Sequence, residues 1–233
     1  MRLMITRARH QLGDLTQKAA TQGIEIQPLP LISFEPVMFD WPPLTRKERV
    51  DWVAFTSANG VETFLATVSD QHQQLDPKIK LAVIGSRTES ALRVAGYSPD
   101  FVSSQAYGET LFRELASGIV HPGYTLVYAR PEKVSFDPES LLSEAAIEYI
   151  PLVCYRTREQ QVDPKLVDGL SGDDYILFTA PSTVYTYHQQ FGRPTATPIA
   201  IGNTTGSAMR ACGWEVTKAL PRPHIDSVLE TVA

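Results

Sequence analysis

The chain has 233 residues, enough to bury one sizeable core or two smaller ones. Hydrophobic residues make up 43% of it and charged residues 20%, a balance that excludes a disordered polymer and reads as a globular protein. A formal charge of −5 argues against broad non-specific nucleic-acid binding, and the charged start Met1-Arg2-Leu3-Met4-Ile5-Thr6-Arg7 and the lack of any transmembrane-length run lead us to expect a cytoplasmic protein.

In chain order, Leu3-Met4-Ile5 predicts a first strand. Gln11 to Gln22 predicts a helix from the spacing of Leu12, Leu15, Ala19 and Ala20, ended at Gly23. Ile24-Glu25-Ile26 predicts a parallel second strand that continues through Pro28-Leu29-Pro30-Leu31-Ile32 toward Phe34 and Pro36. Trp41 to Arg49 is proline-rich and charged, hence a loop leading into a short helix. Trp52 to Thr56 reads as a buried strand, Ser57-Ala58-Asn59-Gly60 as a turn, and Val61, Phe64, Leu65 and Val68 as the apolar stripe of a helix. Lys80 to Ile84 is a strand, and Thr88 to Ala95 a short helix capped by Gly96. Phe101-Val102 is a strand, and Gly108 to Leu115 a helix. A second unit then starts with a strand over Tyr124 to Ala129, a helix around Pro138 to Ala146 and a strand through Glu148 to Tyr155. Tyr175 to Thr179, Ser182 to Gln190, Thr197 to Ile201, Ser207 to Cys212 and a last helix around His224 to Val232 complete the alternation. Strands alternating with helices over the whole length predict α/β layers with mostly parallel sheets.

The chain also repeats itself. Phe55-Thr56-Ser57-Ala58-Asn59-Gly60 recurs 123 residues later as Phe178-Thr179-Ala180-Pro181-Ser182-Thr183. Ile84-Gly85-Ser86-Arg87-Thr88 and Ala95-Gly96-Tyr97 recur 117 residues later as Ile201-Gly202-Asn203-Thr204-Thr205 and Cys212-Gly213-Trp214. Pro30 and Pro151, each before an apolar stretch, add a pair 121 residues apart. Two related lobes with a cleft between them are the expected result. A linear arrangement of lobes and an inserted one, with the chain crossing at Leu31 to Pro36 and Val153 to Arg158, both fit this pattern.

Chemistry is expected at the strand-to-helix turns, because parallel sheets place loops and helix N-termini beside the strand C-termini where ligands bind. Ser57, Asn59 and Ser182 follow the Phe-Thr strands, while Ser86, Thr88, Thr204 and Thr205 follow the Ile-Gly turns. Their hydroxyls and the exposed amides suit carboxylate or phosphate groups, and equally suit plain helix capping. Gly85 and Gly202 are read as permitting sharp turns or close backbone approach. Arg7, Arg9, Arg87 and Arg130, with Lys133 and Arg156, lie near strand ends and favour an anionic small ligand, or else serve as solubilising charge. Tyr155 on the second crossing is a candidate proton donor or a packed structural ring. Neither a GxGxxG nor a P-loop fingerprint appears, so nucleotide binding loses support. Cys154 and Cys212 form no CxxC motif and read as free core thiols, and the five histidines lack ligand spacing, so no metal site is expected.

In their order and spacing, these segments resemble the uroporphyrinogen-III synthase family. The segments carrying the resemblance are Ile5-Thr6-Arg7, Phe55 to Val61, Ile84 to Thr88, Pro151 to Tyr155, Phe178 to Ser182 and Ile201 to Thr205. The resemblance implies two α/β parallel-sheet lobes joined by a two-stranded connector. One lobe would comprise residues 1–34 and 158–233 and the other 37–153, with connectors at 34–37 and 154–158. It implies an enzyme that closes hydroxymethylbilane into uroporphyrinogen III with inversion of ring D and loss of water, through an azafulvene cation and a spiro-pyrrolenine. No metal, nucleotide or organic cofactor is implied. Tyr155 would assist departure of the hydroxyl, and Ser57, Ser182, Thr204 and Thr205 would match cleft hydroxyl positions. Ala180 and Pro181 depart from the Ser-Ala of the first copy, so the two copies need not play equal parts. A monomer meeting hydroxymethylbilane synthase only in passing is expected. The competing reading is a non-catalytic bilobed protein that binds an anionic metabolite.

Overall fold

The computed structural model describes residues 1–41, 49–216, 218–222 and 224–232. The short helix expected before Arg49 falls largely at 42–48, outside the described residues.

The chain divides into two compact units, Met1–Ser33 with Arg158–Ala233, and Phe34–Thr157. The first contains β1 (Arg2–Ile5), α1 (Leu15–Ala20) and β2 (Glu25–Pro28). The chain then leaves through β3 (Ile32–Pro36). The second unit runs through β4 (Trp52–Phe55), α2 (Ala58–Asp70), β5 (Lys80–Val83), α3 (Ser86–Val94), β6 (Phe101–Val102) and α4 (Gly108–Glu114). It continues through β7 (Thr125–Pro131) and α5 (Glu139–Glu144), and the chain returns along β8 (Glu148–Glu159). The first unit is completed by β9 (Tyr175–Phe178), α6 (Pro181–Phe191), β10 (Thr197–Ala200), α7 (Asn203–Ala211), β11 (Lys218–Ala219) and α8 (Val228–Val232).

The sheet of the first unit has the order β11-β10-β9-β1-β2, and that of the second β3-β8-β7-β4-β5-β6. Apart from β3 with β8, the pairings within each unit are parallel, as the alternation of strand and helix predicts; β3 and β8 run antiparallel, the Val37 amide donating to the Cys154 carbonyl and the Gln160 amide to that of Leu31. Strands β4 and β9 are apolar runs because parallel strands covered by helices are buried on both faces. Val53 and Phe55 pack with Val61, Phe64 and Val68 of α2 on one face, while Trp52 and Ala54 pack with Leu111 and Phe112 of α4 on the other. The first unit likewise splits Leu3, Ile5 and Leu177 from Met4, Ile176 and Phe178.

The registers extend the duplication beyond the motifs. Ile5 stands opposite Leu177 and Pro28, as Tyr128 stands opposite Ala54 and Pro151. Each of these equivalences spans 123 residues, so the partner of Pro151 is Pro28 rather than Pro30. The two copies therefore follow one another in the sequence, yet each unit combines the front of one copy with the back of the other.

Several boundaries differ from the sequence reading. The strand expected to run unbroken from Ile24 to Pro36 is two strands in two sheets, with Leu29 and Leu31 fully buried between them. Ala58 to Gly60 is the first turn of α2 rather than a separate turn, because Ser57 caps the helix. The last helix begins as a 3-10 turn over Ile225–Ser227. Gly85 and Gly202 have extended backbones, with φ near ±180°, so neither is a sharp turn. Within the repeated segments the left-handed glycines are instead Gly96 and Gly213, at φ +88° and +73°. They end α3 and α7 through backbone bonds from Tyr97 to Leu92 and from Trp214 to Met209, as the Gly96 cap predicts.

Candidate active site

The strand C-termini of the second unit bring together Thr56 and Ser57 after β4, Ser86 and Arg87 after β5, Arg130 at the end of β7, and Tyr155 on β8. Ser57 has extended backbone angles, and its Oγ accepts the Gly60 amide hydrogen at 3.0 Å, the arrangement of a serine N-cap. The same oxygen lies 2.9 Å from the hydroxyl of Tyr155. Beside this pair, the Thr56 hydroxyl lies 2.8 Å from that of Tyr128.

Tyr155 is only 5% exposed, and Phe34 meets its ring edge-on at 5.7 Å. Burial raises its phenol above the ordinary tyrosine value, the Ser57 hydrogen bond opposes that rise, and the neighbouring Cys154 adds to it. Burial pushes Tyr128 up to about 12, against the opposing Thr56 hydrogen bond. Burial also takes the Cys154 thiol to about 12, so it stays a neutral core group rather than a thiolate. Gly60 leaves room for the Ser57 hydroxyl and the Ala129 carbonyl. A Cβ there would stand 3.2 Å from Ser57 Oγ, 3.3 Å from the Ala129 carbonyl oxygen and 3.7 Å from Tyr155 Cε1.

The other expected residues divide into three groups. Ser86 and Arg87 are exposed on the first turn of α3, while Asn59 is half-buried on that of α2. In the first unit Ser182 is half-buried and Thr204 exposed, each at the second position of its helix, and Arg7 follows β1. Thr88 and Thr205 are only 3% and 1% exposed, because the third position of each helix turns toward its own sheet. Their hydroxyls are thus less open than those of Ser86 and Thr204. Arg130 is held by its own loop: its guanidinium donates to the Pro131 and Glu132 carbonyls and pairs with Asp137 at 3.2 Å. Arg156 pairs with Glu132 at 2.8 Å. Among the described residues no group of three or more His, Cys, Asp or Glu side chains could hold a metal ion.

The equivalent turn of the first unit is built differently. Ala180 occupies the cap position of α6 and offers no side-chain bond, and Thr183 stands where the second unit has Gly60. Thr183 donates to the Ala180 carbonyl at 2.7 Å, and the Thr6 hydroxyl joins it at 3.2 Å. Sequence reasoning missed Gly60 and Tyr128; the Gly-to-Thr difference between copies was the available signal for the first, while Tyr128 looks like any buried strand residue.

Comparison with known proteins gives a consistent result. The profile of the family described as "Uroporphyrinogen-III synthase HemD" matches residues 13–230. A porphyrin biosynthesis protein HemD from Ruminiclostridium josui is 25% identical over 98% of this chain, which spans 47% of that relative's length. A uroporphyrinogen-III synthase from Chlorobaculum parvum is 24% identical over 92% of this chain and 90% of its own. The fold is similar to that of uroporphyrinogen-III synthetase from Helicobacter pylori, with a TM-score of 0.67, 19% identity and coverage of 99% and 98%. It is also similar to a mutant uroporphyrinogen III synthase from Thermus thermophilus, with a TM-score of 0.60, 18% identity and coverage of 99% and 96%.

Proposed function

Because the chain belongs to the uroporphyrinogen-III synthase family, we propose that it closes hydroxymethylbilane into uroporphyrinogen III with inversion of ring D and release of water. The observation that carries this reading is the family match across nearly the whole chain. That match does not favour a purely metabolite-binding role.

The chemistry begins with departure of the hydroxyl on ring A, which Tyr155 assists as general acid. Its phenol stays protonated at neutral pH, as a donor must. The resulting azafulvene cation is attacked by the substituted carbon of ring D to give the spiro-pyrrolenine, and fragmentation and recombination reverse that ring. Because the intermediates are reactive in themselves, much of the enzyme's task is to hold the chain in the conformation that disfavours direct closure. The substrate's eight carboxylates are suited to the helix N-terminal amides and to Asn59, Ser86, Arg87, Arg7, Ser182 and Thr204. Arg130 is not assigned to substrate, since it is held by its loop. Among the described residues no helix is long and apolar enough to cross a membrane. We place the enzyme in the cytoplasm as a monomer that meets hydroxymethylbilane synthase only transiently.

The test supplies freshly generated hydroxymethylbilane to the purified protein and resolves the uroporphyrinogen isomers after oxidation. Protein-dependent isomer III is the expected result. Isomer I alone, with the protein folded, rejects the proposal.

A further inference from the structure

Ser57 stands between a helix and a phenol. Its Oγ accepts the Gly60 amide hydrogen at 3.0 Å in the first turn of α2 and lies 2.9 Å from Tyr155 Oη. A Cβ at Gly60 would crowd the Ser57 hydroxyl at 3.2 Å and the Ala129 carbonyl oxygen at 3.3 Å while meeting the Tyr155 ring only at 3.7 Å. None of this recurs in the first unit, where Ala180 and Thr183 occupy the equivalent places and Ile32 lies 123 residues before Tyr155.

We propose that Ser57 serves the reaction through Tyr155 rather than by holding substrate: the Gly60 amide takes a lone pair of Oγ, and the hydroxyl hydrogen turns to the Tyr155 oxygen as the phenol gives up its proton. The proposal rests on the reading of Tyr155 as the acid. In the step itself the Tyr155 O–H bond breaks and its proton goes to the hydroxyl oxygen of ring A. The carbon–oxygen bond breaks with its electron pair on oxygen, and water leaves. Charge now sits on Tyr155 Oη, where a hydrogen bond to an ionised acceptor is stronger than one to a neutral oxygen. The Gly60 amide, at the positive end of the α2 dipole, polarises the Ser57 hydroxyl from behind. The proton lost when the last pyrrole regains aromaticity returns to Tyr155 Oη, so water is the only by-product. Ser57 is thus a positioning residue that favours the ionised form of the acid.

The electrostatic setting agrees with that geometry. Burial raises the Tyr155 phenol, and Ser57 is the neighbour that lowers it. The titratable groups nearby are Cys154, which raises it further, and Tyr128 beyond Thr56, itself influenced by Arg130 and Asp137.

The experiment is a double-mutant cycle of Ser57→Ala and Tyr155→Phe in the full chain, assayed for isomer III, with Ser57→Thr and Ser57→Asp as companions. Loss of a hydrogen bond to a charged group predicts a kcat about 10- to 100-fold lower in Ser57→Ala at unchanged KM. Ser57→Thr keeps both acceptor and donor and restores kcat. Ser57→Asp keeps the cap but has no hydrogen to give, so it folds and stays slow even if Ser57→Ala unfolds. Adding Ser57→Ala to Tyr155→Phe causes no further loss. The ultraviolet titration assigned to Tyr155, taken as wild type minus Tyr155→Phe, moves to higher pH in Ser57→Ala. A raised KM at wild-type kcat, losses that multiply in the double mutant, or wild-type kcat in Ser57→Asp would each overturn the proposal. Wild-type kinetics in Tyr155→Phe would remove the acid on which it rests, whereas absence of isomer III from the unmodified protein would reject the activity itself.

Discussion

Taking one oxygen from Tyr155 leaves the ring packed against Phe34 and removes only the bond to Ser57. Tyr155→Phe is therefore expected to fold with a stability loss of about 1 kcal/mol and to form isomer III about 100-fold more slowly, in line with general acid catalysis. A wild-type rate under conditions where chemistry is limiting would remove Tyr155 as the acid. Gly60 gives a second test, because two effects oppose there. Alanine favours a helix over glycine by about 0.5–1 kcal/mol. Its Cβ, however, meets the Ala129 backbone carbonyl at 3.3 Å and Ser57 Oγ at 3.2 Å, and a strand carbonyl cannot rotate away as a side chain can. Gly60→Ala should change the melting temperature little while lowering kcat about tenfold, since the contact falls on the Ser57–Tyr155 pair; unchanged kcat would show that the turn yields. Ser57 and Tyr155 were legible from their place after a strand and on a crossing. Their contact was not, because the two residues are 98 positions apart and only the sheet brings them together.

Each sheet pairs strands that are far apart in sequence, and an aspartate locks one such pair in both units. In the first unit the Asp174 carboxylate accepts the Arg2 amide at 2.8 Å, pairs with the Arg2 guanidinium at 2.8 Å, and accepts the Ser171 amide at 3.1 Å. In the second, Asp51, 123 residues earlier, accepts the Thr125 amide at 3.0 Å and pairs with Arg49 at 2.7 Å. The carboxylates thereby satisfy amides at the entrance of β1 and β7 while holding those strands beside β9 and β4. Arg2, through its side chain and amide, keeps Asp174 well below the usual carboxylate range. Because the folded value is depressed, the stabilisation is fully present above the unfolded value of 3.8 and fades as pH falls below it. Asp174→Asn should lower stability by about 1 kcal/mol at neutral pH, the difference between a charged and a neutral acceptor. Melting curves of the two proteins should converge as the pH drops below about 4; a constant gap down to pH 2 would show that the charge is not involved. Nothing in a lone aspartate before a strand announces this role, and it emerges only when the two registers are aligned.

At the scale of the whole molecule, the duplicated order and the units do not coincide. Residues 34–157 form one continuous unit, whereas the other needs both chain ends. A fragment spanning 32–159 is expected to fold alone with a cooperative thermal transition. Fragments 1–123 and 124–233, each one linear copy, should not, since each holds the front of one sheet and the back of the other. Circular dichroism melts of the three fragments check this, and a cooperative transition in either linear copy would contradict it. Local patterning determined much by itself: apolar runs bounded by glycine and polar turns specify strand, helix and the parallel α/β class, and the repeated motifs with the family resemblance point to the reaction. These are short-range signals, set by side-chain periodicity and turn chemistry within a few residues. The tertiary structure alone decided that Pro28 answers Pro151, that Thr88 and Thr205 are buried, and that Ser57 meets Tyr155. The proline match and the Ser57–Tyr155 contact depend on strand register, which parallel sheets set through packing between segments distant in sequence, and no local pattern encodes that distance.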